Sequence, residues 1–127
     1  MSGRGDVVPP PLLPGEYQLF FADLEAAKGW EQLANQFATG TRDAWESLRR
    51  TPTVRGPMQK PLQGQLAHRT LQGRQLPQWQ RDVSSSARVW YVIDDQNSEV
   101  HITLAKAGHP GATDGRKGRG KRTSKNR

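Results

Sequence analysis

The chain has 127 residues, enough for one compact domain and too few for two, since domains usually run to about 100–150 residues. It has no cysteine, which excludes disulfides, thiolate metal sites and cysteine nucleophiles together, and no apolar run approaches the roughly 18–20 residues that span a bilayer. The net charge of +7 is carried by residues 116–127, with seven basic side chains and no acid. The rest balances overall but not locally: residues 1–48 hold 3 basic and 7 acidic side chains, residues 49–93 hold 8 and 1, and residues 94–115 hold 1 and 4. The middle third therefore carries a positive field of the kind that suits a polyanion.

Residues 1–15 contain Pro9, Pro10, Pro11 and Pro14 and little that can pack, so they are expected to form a disordered or extended arm, with no export signal and a cytoplasmic location. Glu16 to Ala22, with Tyr17, Leu19, Phe20 and Phe21, predicts a first strand. Asp23 suits a helix N-cap, and Ala26, Trp30, Leu33 and Phe37 recur on one face of the helix behind it. Gly40 is expected to break that helix. A second helix is expected from Thr41 to Arg50, with Ala44, Trp45 and Leu48 inward and Pro52 stopping it.

Thr53 to Gly64, with Pro57 and Pro61, is expected to be a loop across the sheet edge. From Gln75 the pattern changes to strands over Gln75–Val83, Ala87–Ile93 and Glu99–Ala107, joined by Ser84-Ser85-Ser86 and by Asp94-Asp95-Gln96-Asn97-Ser98. Short polar turns between alternating segments make an antiparallel meander. The glycine-rich basic tail from residue 115 on has no apolar anchor and is expected to be disordered. The domain proper is thus expected over residues 16–114, with an α+β fold in which two N-terminal helices pack on a four-stranded antiparallel sheet.

The order of strand, two helices, loop and meander accompanies four sequence words: Leu62-Gln63-Gly64-Gln65-Leu66-Ala67, Pro77-Gln78-Trp79-Gln80, Arg88-Val89-Trp90-Tyr91-Val92-Ile93-Asp94-Asp95 and Ala107-Gly108-His109-Pro110. Together they resemble the RelE/ParE toxin superfamily, most of all its actinobacterial members, over roughly residues 17–114. The word from Arg88 to Asp95 is the most specific, because the family's third strand commonly begins with an arginine before alternating apolar and aromatic residues. The resemblance implies a toxin of a type II toxin–antitoxin system: an endoribonuclease, or mRNA interferase, that inhibits translation by cleaving messenger RNA at the ribosome. In that reaction a 2′-hydroxyl attacks the neighbouring phosphate without a metal or other cofactor. The partners implied are a cognate antitoxin, messenger RNA and the ribosome.

Under that resemblance Arg88 and His109 are the catalytic candidates. A guanidinium can grip a phosphate through two hydrogen bonds, and an imidazole near neutral pKa suits proton transfer. The alternatives are a strand arginine pairing with Asp82 across the hairpin, and a solvated turn histidine. Pro110 and Gly111 follow His109 where some relatives have a histidine–tyrosine pair or an arginine. His68, Arg69, Arg74 and Arg81 are candidates to clamp RNA phosphates, and Trp79 to stack on a base, although Trp79 suits a core equally well; Trp90 is expected in the core. His68, His101 and His109 show no metal-ligand spacing. A different class of function stays open: a non-catalytic ParE-like gyrase inhibitor, or a domesticated RNA-binding relative that keeps the fold without the chemistry.

Overall fold

The computed structural model describes residues 4–108; His109 and the basic tail lie outside them. Residues 4–17 contain no helix or strand. The first strand, β1 (Gln18–Phe21), is followed by α1 (Leu24–Gln36), where Asp23 accepts a hydrogen bond from the Ala26 amide at 2.9 Å and so caps a free N–H of the first turn. The second helix, α2 (Ala38–Arg50), begins almost at once, with Phe37 serving as the boundary residue of both helices.

The helix break is therefore at Phe37, not at Gly40. Gly40 sits inside α2 because a side chain there would collide with the Val83 carbonyl, and Gly29 does the same for α1 against Ala105. These glycines let both helices approach the sheet backbone closely, and that gain outweighs their roughly 1 kcal/mol helix penalty. Ala26, Leu33, Ala44 and Leu48 are buried as their spacing requires, while Trp45 is half-buried with its ring between Arg42 and Arg49.

The sheet has six strands and is mixed, which corrects the four-stranded antiparallel expectation. After α2 come β2 (Gln59–Pro61), a 3-10 turn (Gly64–Leu66), β3 (His68–Leu71), β4 (Arg74–Ser84), β5 (Ala87–Asp94) and β6 (Glu99–Ala107). The order across the sheet is β1-β6-β5-β4-β2, with β3 also paired to β4. β1 lies parallel to β6, Leu19 opposite Val100; both helices and strands β2–β5 separate the two along the chain, so no hairpin forces an antiparallel arrangement.

The segment expected to be all loop contains β2, whose Pro61 is tolerated because β2 is an edge strand with no neighbour on its outer side. The unforeseen β3–β4 hairpin turns at Gln72 and Gly73, both with positive φ (52° and 79°), as a two-residue hairpin loop demands. The core lies between the helices and one sheet face: Val83, Val89, Tyr91, Ile93, Val100 and Ile102 meet Leu33, Ala44 and Leu48. Trp90 is not among these residues. Its parity on β5 places it on the opposite face, where its indole donates to Gln80 Oε1 at 3.0 Å.

Candidate functional site

Parity along β5 separates two surfaces. Val89, Tyr91 and Ile93 point at the helices, whereas Arg88, Trp90, Val92 and Asp94 point to the face that no helix covers. Strand pairing sets Asp82 opposite Arg88, Gln80 opposite Trp90 and Gln78 opposite Val92, so polar residues of β4 line this open face beside Arg88, Trp90 and Val92 of β5. It is polar yet little exposed at Gln78, Arg88, Asp94, His101 and Thr103, and the β3–β4 hairpin sends one side chain across it. Arg69 on β3 reaches across to the Thr103 carbonyl on β6 at 3.5 Å and to Asp23 at 3.6 Å. Beneath it, Gln78 donates to the Leu66 carbonyl at 2.9 Å and accepts from Thr103 Oγ1 at 2.7 Å, so the buried amide has partners at both ends.

Arg88 lies at the other end of this face, 4% exposed, and lines a cleft of about 290 Å³ with Lys60, Gln80, Asp82, Ser84 and Ser85. Burial lowers its pKa from the ordinary guanidinium value, and the facing Asp82 carboxylate works against that shift. Lys60 comes from β2 and brings a second cation to the cleft. The chain leaves β6 at the same end: Ala107 pairs with Ala87, and the Gly108 amide donates to the Ser86 carbonyl. His109, the other catalytic candidate, lies outside the described residues.

The five RNA-contact candidates do not form one surface. His68 is exposed on β3, and Arg69 and Arg74 lie on the same hairpin, Arg74 bound to Asp94 at 2.5 Å. Burial raises the Asp94 carboxyl, but hydrogen bonds from Arg74 and Asn97 more than offset this and hold it below its ordinary value. Trp79 and Arg81 pair with Tyr91 and Val89, which puts them on the helix side. Trp79 packs against the core, and Arg81 donates to Ser47 Oγ of α2 at 3.5 Å. The alternation from Val83 back through Arg81 to Trp79 carried this information in the sequence. Lys60 had no such signal, because β2 is too short to show a period.

Half of the cations of the positive middle third are paired with acids from its flanks. Arg49 and Arg50 pair with Glu16 and Glu46, Arg69 with Asp23, and Arg74 with Asp94. Each of those acids belongs to one of the two acidic segments, so the charge asymmetry along the chain becomes cross-bracing in the fold. Among the described residues no group of three or more His, Asp or Glu side chains is placed to hold a metal ion, and no helix is long and apolar enough to cross a membrane.

No family model matches the sequence, and no curated protein matches it significantly. Solved structures do match the fold. The YoeB/ParE toxin from Agrobacterium tumefaciens superposes with a TM-score of 0.55 at 17% identity, covering 72% of this chain and 99% of that one. The YoeB dimer from Staphylococcus aureus gives 0.54 at 14% identity over 73% and 98%. RelE in the archaeal RelE–RelB complex from Pyrococcus horikoshii OT3 gives 0.52 at 15% identity over 72% and 93%. The fold of this chain is therefore the one shared by the YoeB/ParE and RelE toxins.

Proposed function

We propose, from that shared fold, that this chain belongs to the RelE/ParE superfamily and is the toxin of a toxin–antitoxin pair, a metal-independent endoribonuclease acting on messenger RNA at the ribosome. The observation that carries the reading is Arg88, presented by β5 on the uncovered sheet face inside a cleft that also holds Lys60. A scissile phosphate in that cleft meets two cations in a partly desolvated place. Attack of the 2′-oxygen on phosphorus forms one P–O bond and breaks the bond to the 5′-oxygen, and the negative charge that develops on the phosphorane is what Arg88 and Lys60 stabilise.

His109 is next in sequence to Gly108, whose amide donates to the Ser86 carbonyl. In this reading it accepts the 2′-hydroxyl proton or supplies one to the leaving 5′-oxygen. The exposed His68 and the hairpin that carries Arg69 and Arg74 extend the RNA path, while Trp79 and Arg81 are not used on this face. The antitoxin covers the open face, in keeping with a neighbour of the same fold found as a RelE–RelB complex. The protein then acts in the cytoplasm.

One feature favours the non-catalytic alternative: β4 lines the open face with Gln78, Gln80 and Asp82 rather than with cations. Primer extension on messenger RNA from cells briefly induced for the wild type and for Arg88→Ala separates the two. New ends inside translated regions that fall at least about 100-fold in the variant support cleavage. Growth arrest without new ends, accompanied by loss of gyrase supercoiling activity in vitro, overturns cleavage in favour of the gyrase inhibitor.

A further inference from the structure

Most of the middle-third cations have an acidic neighbour, and Arg81 is an exception. It is half-buried on the helix side of β4, and among the described residues Ser47 Oγ is its one hydrogen-bond acceptor, at a long 3.5 Å. Among the described residues its Nε is buried without any acceptor, and no carboxylate lies within ion-pair distance of the guanidinium. A cation taken partly out of water without a counter-charge is costly, and a fold keeps such a group where something outside the chain completes it.

The surroundings fit that role. Arg81 opens into a pocket of about 220 Å³ between the end of α2 and the loop that leads to β2, lined also by Ser47, Thr51, Arg55, Met58 and Gln59. No acid lines it, and exposed Arg55 adds a second cation at the rim. The wall is cross-linked: Gln59 Nε2 donates to the Thr51 and Val54 carbonyls at 2.6 and 3.0 Å, and its Oε1 accepts from Ser47 at 2.6 Å. With Gln59 committed to the loop, Arg81 and Arg55 supply the charged donors that face the opening.

We propose that this pocket is an oxyanion-binding site, separate from the Arg88 cleft and on the opposite side of the sheet, that takes a single phosphate or carboxylate group on Arg81 and Arg55. Its two guanidinium donors match the oxygens of one such group, free or at the anionic end of something larger. The proposal does not depend on the chain cleaving RNA.

The test is a titration of the full-length protein, followed by amide ¹H–¹⁵N spectra, with inorganic phosphate and, separately, with acetate, each at constant ionic strength. Saturable shifts confined to Ser47, Thr51, Gly56, Gln59 and Arg81 are expected, weakened at least about 10-fold in Arg81→Gln and restored to within about 3-fold in Arg81→Lys. A preference for phosphate points to a phosphorylated ligand, and a preference for acetate to a protein carboxylate. Where Arg81→Gln fails to fold, Arg55→Gln carries the test, with a loss of about 3-fold. Shifts that do not saturate, that are unchanged in the variants, or that appear only around Arg88 overturn the site.

Discussion

The two faces of one sheet are held by different physics. On the helix side, β5 and β6 bury Val89, Tyr91, Ile93, Val100 and Ile102 against Leu33 and Leu48, and apolar contact there is non-directional and tolerant of exchange at constant volume. On the uncovered side the same strands, with β4, bury Gln78, Arg88, Asp94, His101 and Thr103, groups that are costly to bury unless a partner of the right kind stands at the right place. Gln78 depends on Thr103 and Leu66, and Asp94 on Arg74 and Asn97. A face built this way is specified residue by residue, which is what a site requires. The helix face supplies the stability on which that specification rests.

Four substitutions test this contrast, from the largest expected effect to the smallest. Leu48→Ala, fully buried on the helix side, should lower unfolding free energy in urea by about 3 kcal/mol while leaving the Arg88 cleft intact in the folded fraction. Gln78→Ala on the open side should cost about 2 kcal/mol, because Thr103 and the Leu66 carbonyl lose their partner; a loss under about 0.5 kcal/mol would show that the open-face network is passive.

Asp94→Asn should cost about 1 kcal/mol at pH 7. The Asp94 pKa is lowered in the folded state, so the wild-type advantage exists above the ordinary carboxylate pKa and fades as pH falls through the folded value. Urea melts of the two proteins should therefore keep their full difference down to the ordinary carboxylate pKa of 3.8 and draw together only below it. Tyr17→Phe should cost about 0.5–1 kcal/mol. Tyr17 donates to Asp95, and that bond, with burial and the Asp95 charge, pushes its pKa up to about 12. Its contribution is present below the ordinary tyrosine pKa of 10.0 and is lost as pH rises through about 12, so alkaline melts should converge while neutral melts do not.

Much of the fold was legible because local chemistry and tertiary need agree. Asp23 caps α1 as its type suggests, α2 ends at Arg50, and β6 spans Glu99–Ala107 as the alternation indicates. Where they disagree, the sequence misled. Gly40 looks like a helix breaker, but its lack of a side chain serves contact with Val83 carbonyl oxygen, a residue more than forty positions away. Gln72-Gly73 is a weaker hairpin signal than Asn-Gly, so β3 was not foreseen. Trp45 and Trp90 read as core by type, yet one is flanked by two arginines and the other bonds Gln80 outside the core.

By itself, then, the sequence determined which segments are helix and which belong to the meander, since side-chain periodicity and turn chemistry act over a few residues. It also placed Arg88 on a strand with Asp82 across the hairpin, because a short turn fixes register. Tertiary structure alone decided that β1 joins in parallel beside β6, that Lys60 shares a cleft with Arg88, and that β3 carries Arg69 to within reach of Asp23 and β6. It also decided that acids from both ends of the chain neutralise most of the middle arginines and leave Arg81 facing a pocket. The reason is common to all four: each depends on which distant segments come within a few ångströms of one another, and Coulomb and packing forces act on that separation and not on position along the chain.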